Sequence, residues 1–155
     1  MQKRSLARLA GLAIVATIAA GSAPATHETP PSAVEVTVFK SPTCGCCREW
    51  VEHLRKHAFA VTSKDTADVS SVKRTARVPE ALHSCHTAFV NGYVVEGHVP
   101  AADIQRLLKE KPKIAGIAVP GMPAGSPGME MGSRKDPYDV VAFKRDGSTS
   151  VFAKH

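Results

Sequence analysis

The chain has 155 residues, a formal net charge of +6 and four cysteines. Setting aside Lys3, Arg4 and Arg8, which belong to an N-terminal leader, removes three charges and leaves +3, with the remaining Lys and Arg interleaved with Asp and Glu; this excludes the basic stripe of a nucleic-acid binder. The roughly 130 residues after the leader are enough for one domain to bury a core without disulfide staples, so small size does not explain the cysteines.

The leader itself has the pattern of an export signal. Basic residues precede an apolar run from Leu9 to Ala20, and Ala23-Pro24-Ala25 supplies the small-x-small cleavage pattern. The run is short for a membrane span, which takes about 20 residues. The expected organisation is a signal peptide over residues 1–25, a polar, Pro-containing leader over 26–33, and a single domain over 34–155. The product is then exported, with no stable membrane insertion once the signal is cleaved.

Val34, Val36 and Val38 alternate as one face of a strand, which Ser41-Pro42 ends. From Cys46 the period changes: Cys47, Trp50, Val51, Leu54 and Ala58 mark one face of a helix, so Cys47 and Trp50 are expected in the core. Residues 59–63 predict a second strand, 67–77 a weaker helix with Val69, Val72 and Ala76 inward, and 79–82 a single turn opened by Pro79. Asn91-Gly92 between residues 87–90 and 93–96 predicts a hairpin with a type I′ turn, because Asn and Gly accept positive φ. Pro100 opens a helix with Ile104, Leu107 and Leu108 inward, which Pro112 stops. Residues 114–132 show no period and are rich in Gly, Pro and Met, a long loop of the kind that is usually either functional or disordered. Asp146-Gly147 between residues 140–143 and 149–152 predicts a closing hairpin. The order strand, helix, strand, helix, hairpin, helix is that of a thioredoxin-like α/β domain, with a mixed sheet flanked by helices and the first loop at the carboxyl end of the first strand.

That loop is Ser41-Pro42-Thr43-Cys44-Gly45-Cys46-Cys47, and it holds three of the four thiols. A helix N-terminus lowers thiol pKa values and so favours the thiolate that attacks disulfides and binds soft metals. Cys44 and Cys47, at i and i+3, can meet if the helix starts at the first of them, and in that case they read as attacking and resolving thiols of a redox site. Cys44-Gly45-Cys46-Cys47 resembles the thioredoxin active site Cys-Gly-Pro-Cys, and by this resemblance the fourth thiol, Cys85 in His83-Ser84-Cys85-His86, falls in the segment entering the hairpin that carries a cis-proline beside the dithiol in thioredoxin-like proteins. Four converging thiols suit a soft metal better than exchange alone, since thiolate selects Cu(I), Zn and iron-sulfur. Adjacent Cys46 and Cys47 point different ways, so bridging several ions is easier than chelating one tetrahedral zinc. A Cys46–Cys47 disulfide is disfavoured because consecutive Cα atoms are about 3.8 Å apart; Cys44–Cys47 with Cys46–Cys85 is feasible.

The leader, Ser-Pro-Thr-Cys-Gly-Cys-Cys, Ser-Cys-His-Thr, Gly-Tyr-Val-Val-Glu-Gly-His-Val-Pro, Val-Pro-Gly-Met-Pro-Ala-Gly-Ser-Pro-Gly-Met-Glu and Asp-Pro-Tyr-Asp-Val together resemble the CopG-type copper-resistance proteins of Gram-negative bacteria. This metal-binding family is distinct from the DNA-binding repressors of the same name. The resemblance implies a periplasmic thioredoxin-like domain holding copper in a thiolate-bridged cluster on Cys44, Cys46, Cys47 and Cys85. The function expected is copper binding for copper resistance, as multinuclear Cu(I) with cycling to Cu(II), in contact with copper ions and periplasmic efflux or chaperone proteins. The alternative is a metal-free thiol-disulfide oxidoreductase using Cys44 and Cys47 as catalytic pair. His86, His98, Met122 and Met129 are second-tier ligand candidates, with Met131 in the same loop. His53 and His57, at i and i+4, have a zinc-binding spacing but are expected on an exposed helix face.

Overall fold

The computed structural model describes residues 33–155, so the signal peptide and nearly all of the leader lie outside the described residues. The elements are β1 (Val34–Lys40), α1 (Gly45–Lys56), β2 (Phe59–Asp65), α2 (Val69–Ala76), a 3-10 turn (Glu80–Leu82), β3 (His86–Val90), β4 (Tyr93–Glu96), α3 (Ala101–Glu110), β5 (Gly116–Ala118), β6 (Asp139–Phe143) and β7 (Thr149–Lys154). They form one seven-stranded mixed sheet in the order β2-β1-β3-β4-β5-β6-β7. β1 pairs parallel with β2 and antiparallel with β3, and β4 pairs parallel with β5 across the α3 crossover. This is the expected thioredoxin-like α/β arrangement, extended beyond β4 by three strands.

The period-2 alternation of the strands distributes the core over both faces of the sheet. Val36, Val38, Val95, Ile117 and Val140 pack with Trp50, Val51 and Leu54 of α1 and Ile104 and Leu107 of α3. Val94, Ala118 and Phe143 pack on the other face with Ala76 of α2, Val78 and Leu82. Trp50 is fully buried as expected, and its indole N–H donates to the Val99 carbonyl at 2.9 Å, tying α1 to the segment after β4.

Two expectations are corrected. Residues 114–132 are not wholly irregular: Gly116–Ala118 is a strand between β4 and β6. A three-residue strand leaves no readable period, so only its neighbours reveal it. α2 is shorter than expected, and its buried positions include Lys73, a residue the apolar pattern assigns to solvent. The hairpins form at the expected turns; Asn91 and Gly92 have φ of 44° and 84°, the positive pair a type I′ turn requires.

Candidate metal centre

β1 ends beside the site, and a tight turn brings the Cys44 N–H to the Ser41 carbonyl at 3.2 Å. α1 then starts at Gly45 with Cys44 as its N-cap, and the Cys44 sulfur accepts the Cys47 N–H at 3.3 Å. The sulfur takes the capping role usually given to a Ser or Asp oxygen. Cys44 and Cys47 are joined in a disulfide, while Cys46 and Cys85 are free thiols. Cys46 Sγ lies 3.5 Å from Cys44 Sγ, and Cys47 Sγ lies 3.9 Å from the Cys85 carbonyl oxygen. All four sulfurs fall within 4.8 Å of one another. Of the two pairings feasible by sequence, the structure thus contains one, and the adjacent Cys46 and Cys47 are not bonded.

Cys85 also belongs to a second cluster. Its sulfur is 2.9 Å from His98 Nε2 and 3.5 Å from His86 Nδ1. His98 Nδ1 is 2.8 Å from the Pro127 carbonyl, which can only accept, so the ring proton sits on Nδ1 and the Nε2 lone pair faces the thiol. Burial lowers the pKa of His98 and lowers that of His86 well below the ordinary histidine value, keeping both rings neutral. Burial and the neighbouring Cys46 push the Cys85 thiol up to about 12. The metal-free site therefore holds a protonated Cys85 against a neutral imidazole. His86 is wholly buried, its ring centroid 4.3 Å from that of Trp50, and its Nε2 has no hydrogen-bond partner among the described residues. A buried orphan of this kind costs about 1–3 kcal/mol.

A buried ion pair supports the Cys85 segment from behind. Glu96 Oε1 accepts from Lys73 Nζ at 2.5 Å and from the Ser84 N–H at 2.7 Å, and Glu96 Oε2 accepts the Thr87 hydroxyl at 2.7 Å. Sequence reading missed this network. Its one signal was Glu96, a glutamate closing the apolar run of β4. The loop after β5 closes the site from the other side. The Ser84 hydroxyl donates to the Gly121 carbonyl, and Gly128, at φ +83°, lies so close to α1 that a Cβ there would sit 2.7 Å from the Cys46 carbonyl oxygen.

The remaining candidates separate. Met122 and Met131 are 54% and 65% exposed, whereas Met129 is half-buried. His53 is not a free ligand on an exposed face. Its Nε2 accepts the Ala101 N–H at 3.1 Å, capping α3, and His57 Nδ1 contacts the His53 carbonyl at 2.8 Å. The expectation of an exposed face holds for His57 and fails for His53, because α3 packs over it. A cleft of about 560 Å³, lined by Pro120, Pro123, Tyr138 and His155 among others, contains none of the four thiols.

Fold and site together define a thioredoxin-like domain with a four-sulfur, two-imidazole centre where the first strand meets the first helix. A family described as "Protein of unknown function, DUF411" matches residues 82–129. No curated protein matches the chain. Two solved structures, titled as forms 1 and 2 of the copper resistance protein CopG, are 49% and 48% identical; each match has a TM-score of 0.76 and covers 79% of this chain and 98% of theirs. The chain belongs to the CopG copper-resistance family. Among the described residues, no helix is long and apolar enough to cross a membrane.

Proposed function

We propose that this chain is an exported copper-binding protein of copper resistance, acting in the periplasm after removal of residues 1–25 and taking copper as cargo on Cys44, Cys46, Cys47 and Cys85. The observation that carries the reading is the convergence of four sulfurs from two distant segments within 4.8 Å, in a chain nearly half identical to copper-resistance proteins. Sulfur donors of this number suit Cu(I), and bridging sulfurs allow several ions to share them. His86 and His98 border the cluster, and Met122 and Met129 offer thioethers on the loop that covers it. The Cys44–Cys47 disulfide gives the site a second state: two electrons and two protons convert it to two thiols, making four sulfur ligands available where the oxidised chain has two. Cycling of the cysteines, or of copper between Cu(I) and Cu(II), would exchange cargo with efflux or chaperone partners.

The same disulfide favours a second reading, thiol-disulfide exchange with Cys44 attacking and Cys47 resolving. One experiment separates the two. The protein is reduced anaerobically, loaded with Cu(I), and assayed for copper per chain and free thiols beside Cys46→Ser. More than one copper per chain with all thiols protected, lost in the variant, is the expected outcome. If no copper is retained and Cys46→Ser exchanges disulfides like the parent, the copper reading fails and the oxidoreductase reading takes its place.

A further inference from the structure

β6 and β7 carry the sheet past the helix that covers one of its faces. On the face under α1 and α3, the core runs to the edge: Val140, Ala142, Phe152 and Ala153 belong to it, and Arg106 of α3 donates to the Phe152 carbonyl at 2.7 Å. On the other face α2 packs chiefly on β1 and β3, and the core ends at Phe143 and Val141 of β6. In register, Asp139, Val141 and Phe143 stand opposite Lys154, Val151 and Thr149 of β7, so these six share the second face. A sheet face left to solvent ordinarily turns polar residues outward. Here the centre of the face is an apolar cross-strand pair, Val141 half-buried and Val151 53% exposed. Beside it lies the cleft bounded by Pro120, Pro123, Pro137 and Tyr138. We infer that this face is an interface with a second copy of the chain, related to the first by a two-fold axis.

Charge selects the occupant. Asp139 and Lys154 are direct cross-strand partners, a spacing at which opposite charges ordinarily pair, and both line the cleft. Among the described residues, however, neither makes an ion pair: the acidic groups that are paired are Glu52, Asp65, Asp68, Glu96, Asp103 and Asp136. One open charge of each sign beside an apolar patch makes a surface complementary to itself. In a two-fold contact residue i meets j and j meets i, so Lys154 of each copy meets Asp139 of the other. The valines and prolines between them supply the apolar centre of the contact, and the charges its polar rim. Pro120 adjoins Gly121, whose carbonyl accepts the Ser84 hydroxyl, so association braces the loop that closes the sulfur cluster. This pairing of copies is independent of the copper reading.

Sedimentation velocity of the metal-free protein over a range of concentrations tests it. Wild type is expected to pass from monomer to dimer as concentration rises, with no larger species. Val151→Asp should raise the dimer dissociation constant roughly a hundredfold. Asp139→Lys and Lys154→Asp should each do the same, because every contact then brings like charges together. An equimolar mixture of those two variants should dimerise again, since both contacts of the mixed pair join opposite charges; this rescue also shows that both variants are folded. As a measurement that needs no variant, the amide signals of Val141, Val151 and Lys154 should move with concentration, while those of Lys64 and Asp65 on the opposite edge stay in place. A wild type that is monomeric throughout, a dimer indifferent to all three substitutions, species that grow beyond two, or a mixture that fails to pair would each overturn the proposal.

Discussion

His98 and Cys85 face each other across 2.9 Å, with the imidazole lone pair directed at the sulfur because the other ring nitrogen is held by Pro127. Burial and Cys46 raise the Cys85 thiol to about 12, so at neutral pH it is protonated, and thiolate is the reactive form. In metal-free oxidised protein, iodoacetamide at pH 7.5 (a value on the order of physiological pH) is expected to modify Cys46 well before Cys85. Mass spectrometry of the digested protein reads the ratio, and equal rates at the two sites would contradict this account of Cys85.

Gly128 combines a positive φ with a close approach to the backbone of α1 at Cys46 and Trp50. A Cβ at this position requires both backbone strain and displacement of the loop. Gly128→Ala is expected to cost about 1–3 kcal/mol in urea unfolding. It should also move the His98 ring signals in NMR spectra, since Pro127 moves with the loop. A variant of wild-type stability with unchanged His98 signals would show that the loop does not bear on the site.

Lys73 and Glu96 form a buried pair, and removing one partner leaves an uncompensated charge. Lys73→Met alone is expected to cost about 3–5 kcal/mol, and the double variant Lys73→Met/Glu96→Leu to recover most of it. The double variant still lacks the acceptor for the Ser84 N–H. Its metal loading through Cys85 should therefore remain impaired after stability is restored. Equal recovery of both would make the pair purely structural.

His53 caps α3 as an acceptor, and its pKa is lowered by burial first and by His57 next. The folded chain resists a proton that the unfolded chain accepts near pH 6.5, the ordinary value for histidine. Its contribution to stability is therefore complete above that pH and is lost as pH falls toward the depressed folded value. Urea midpoints of the metal-free protein should decline on acidification from about pH 7. His53→Gln should flatten its share of the slope; an unchanged slope would remove His53 from the account.

Local chemistry made the elements legible in the sequence. Alternating valines marked β1, the Cys47, Trp50, Leu54 stripe marked α1, and Asn91-Gly92 marked the turn between β3 and β4, because each rests on a period or a dihedral preference carried by a few adjacent residues. The concentration of thiols at the join of β1 and α1 was visible for the same reason. β5 was not, since a strand of three residues has no period of its own and exists through its neighbours. Nor was the role of His53, which depends on α3 packing across it.

The sequence by itself determined a thioredoxin-like order of elements, a cysteine-rich helix start and a fourth thiol at the mouth of the hairpin. Only the tertiary structure decided how those thiols are partnered: Cys44 with Cys47, Cys46 against Cys44, and Cys85 between two buried imidazoles. It also decided that Lys73 and Glu96 lie buried behind the Cys85 segment. The physical reason is distance along the chain. Helix and strand periods are set by neighbouring residues, whereas a donor cluster and a buried ion pair depend on sheet register and on the loop after β5, which bring together residues that no local pattern connects.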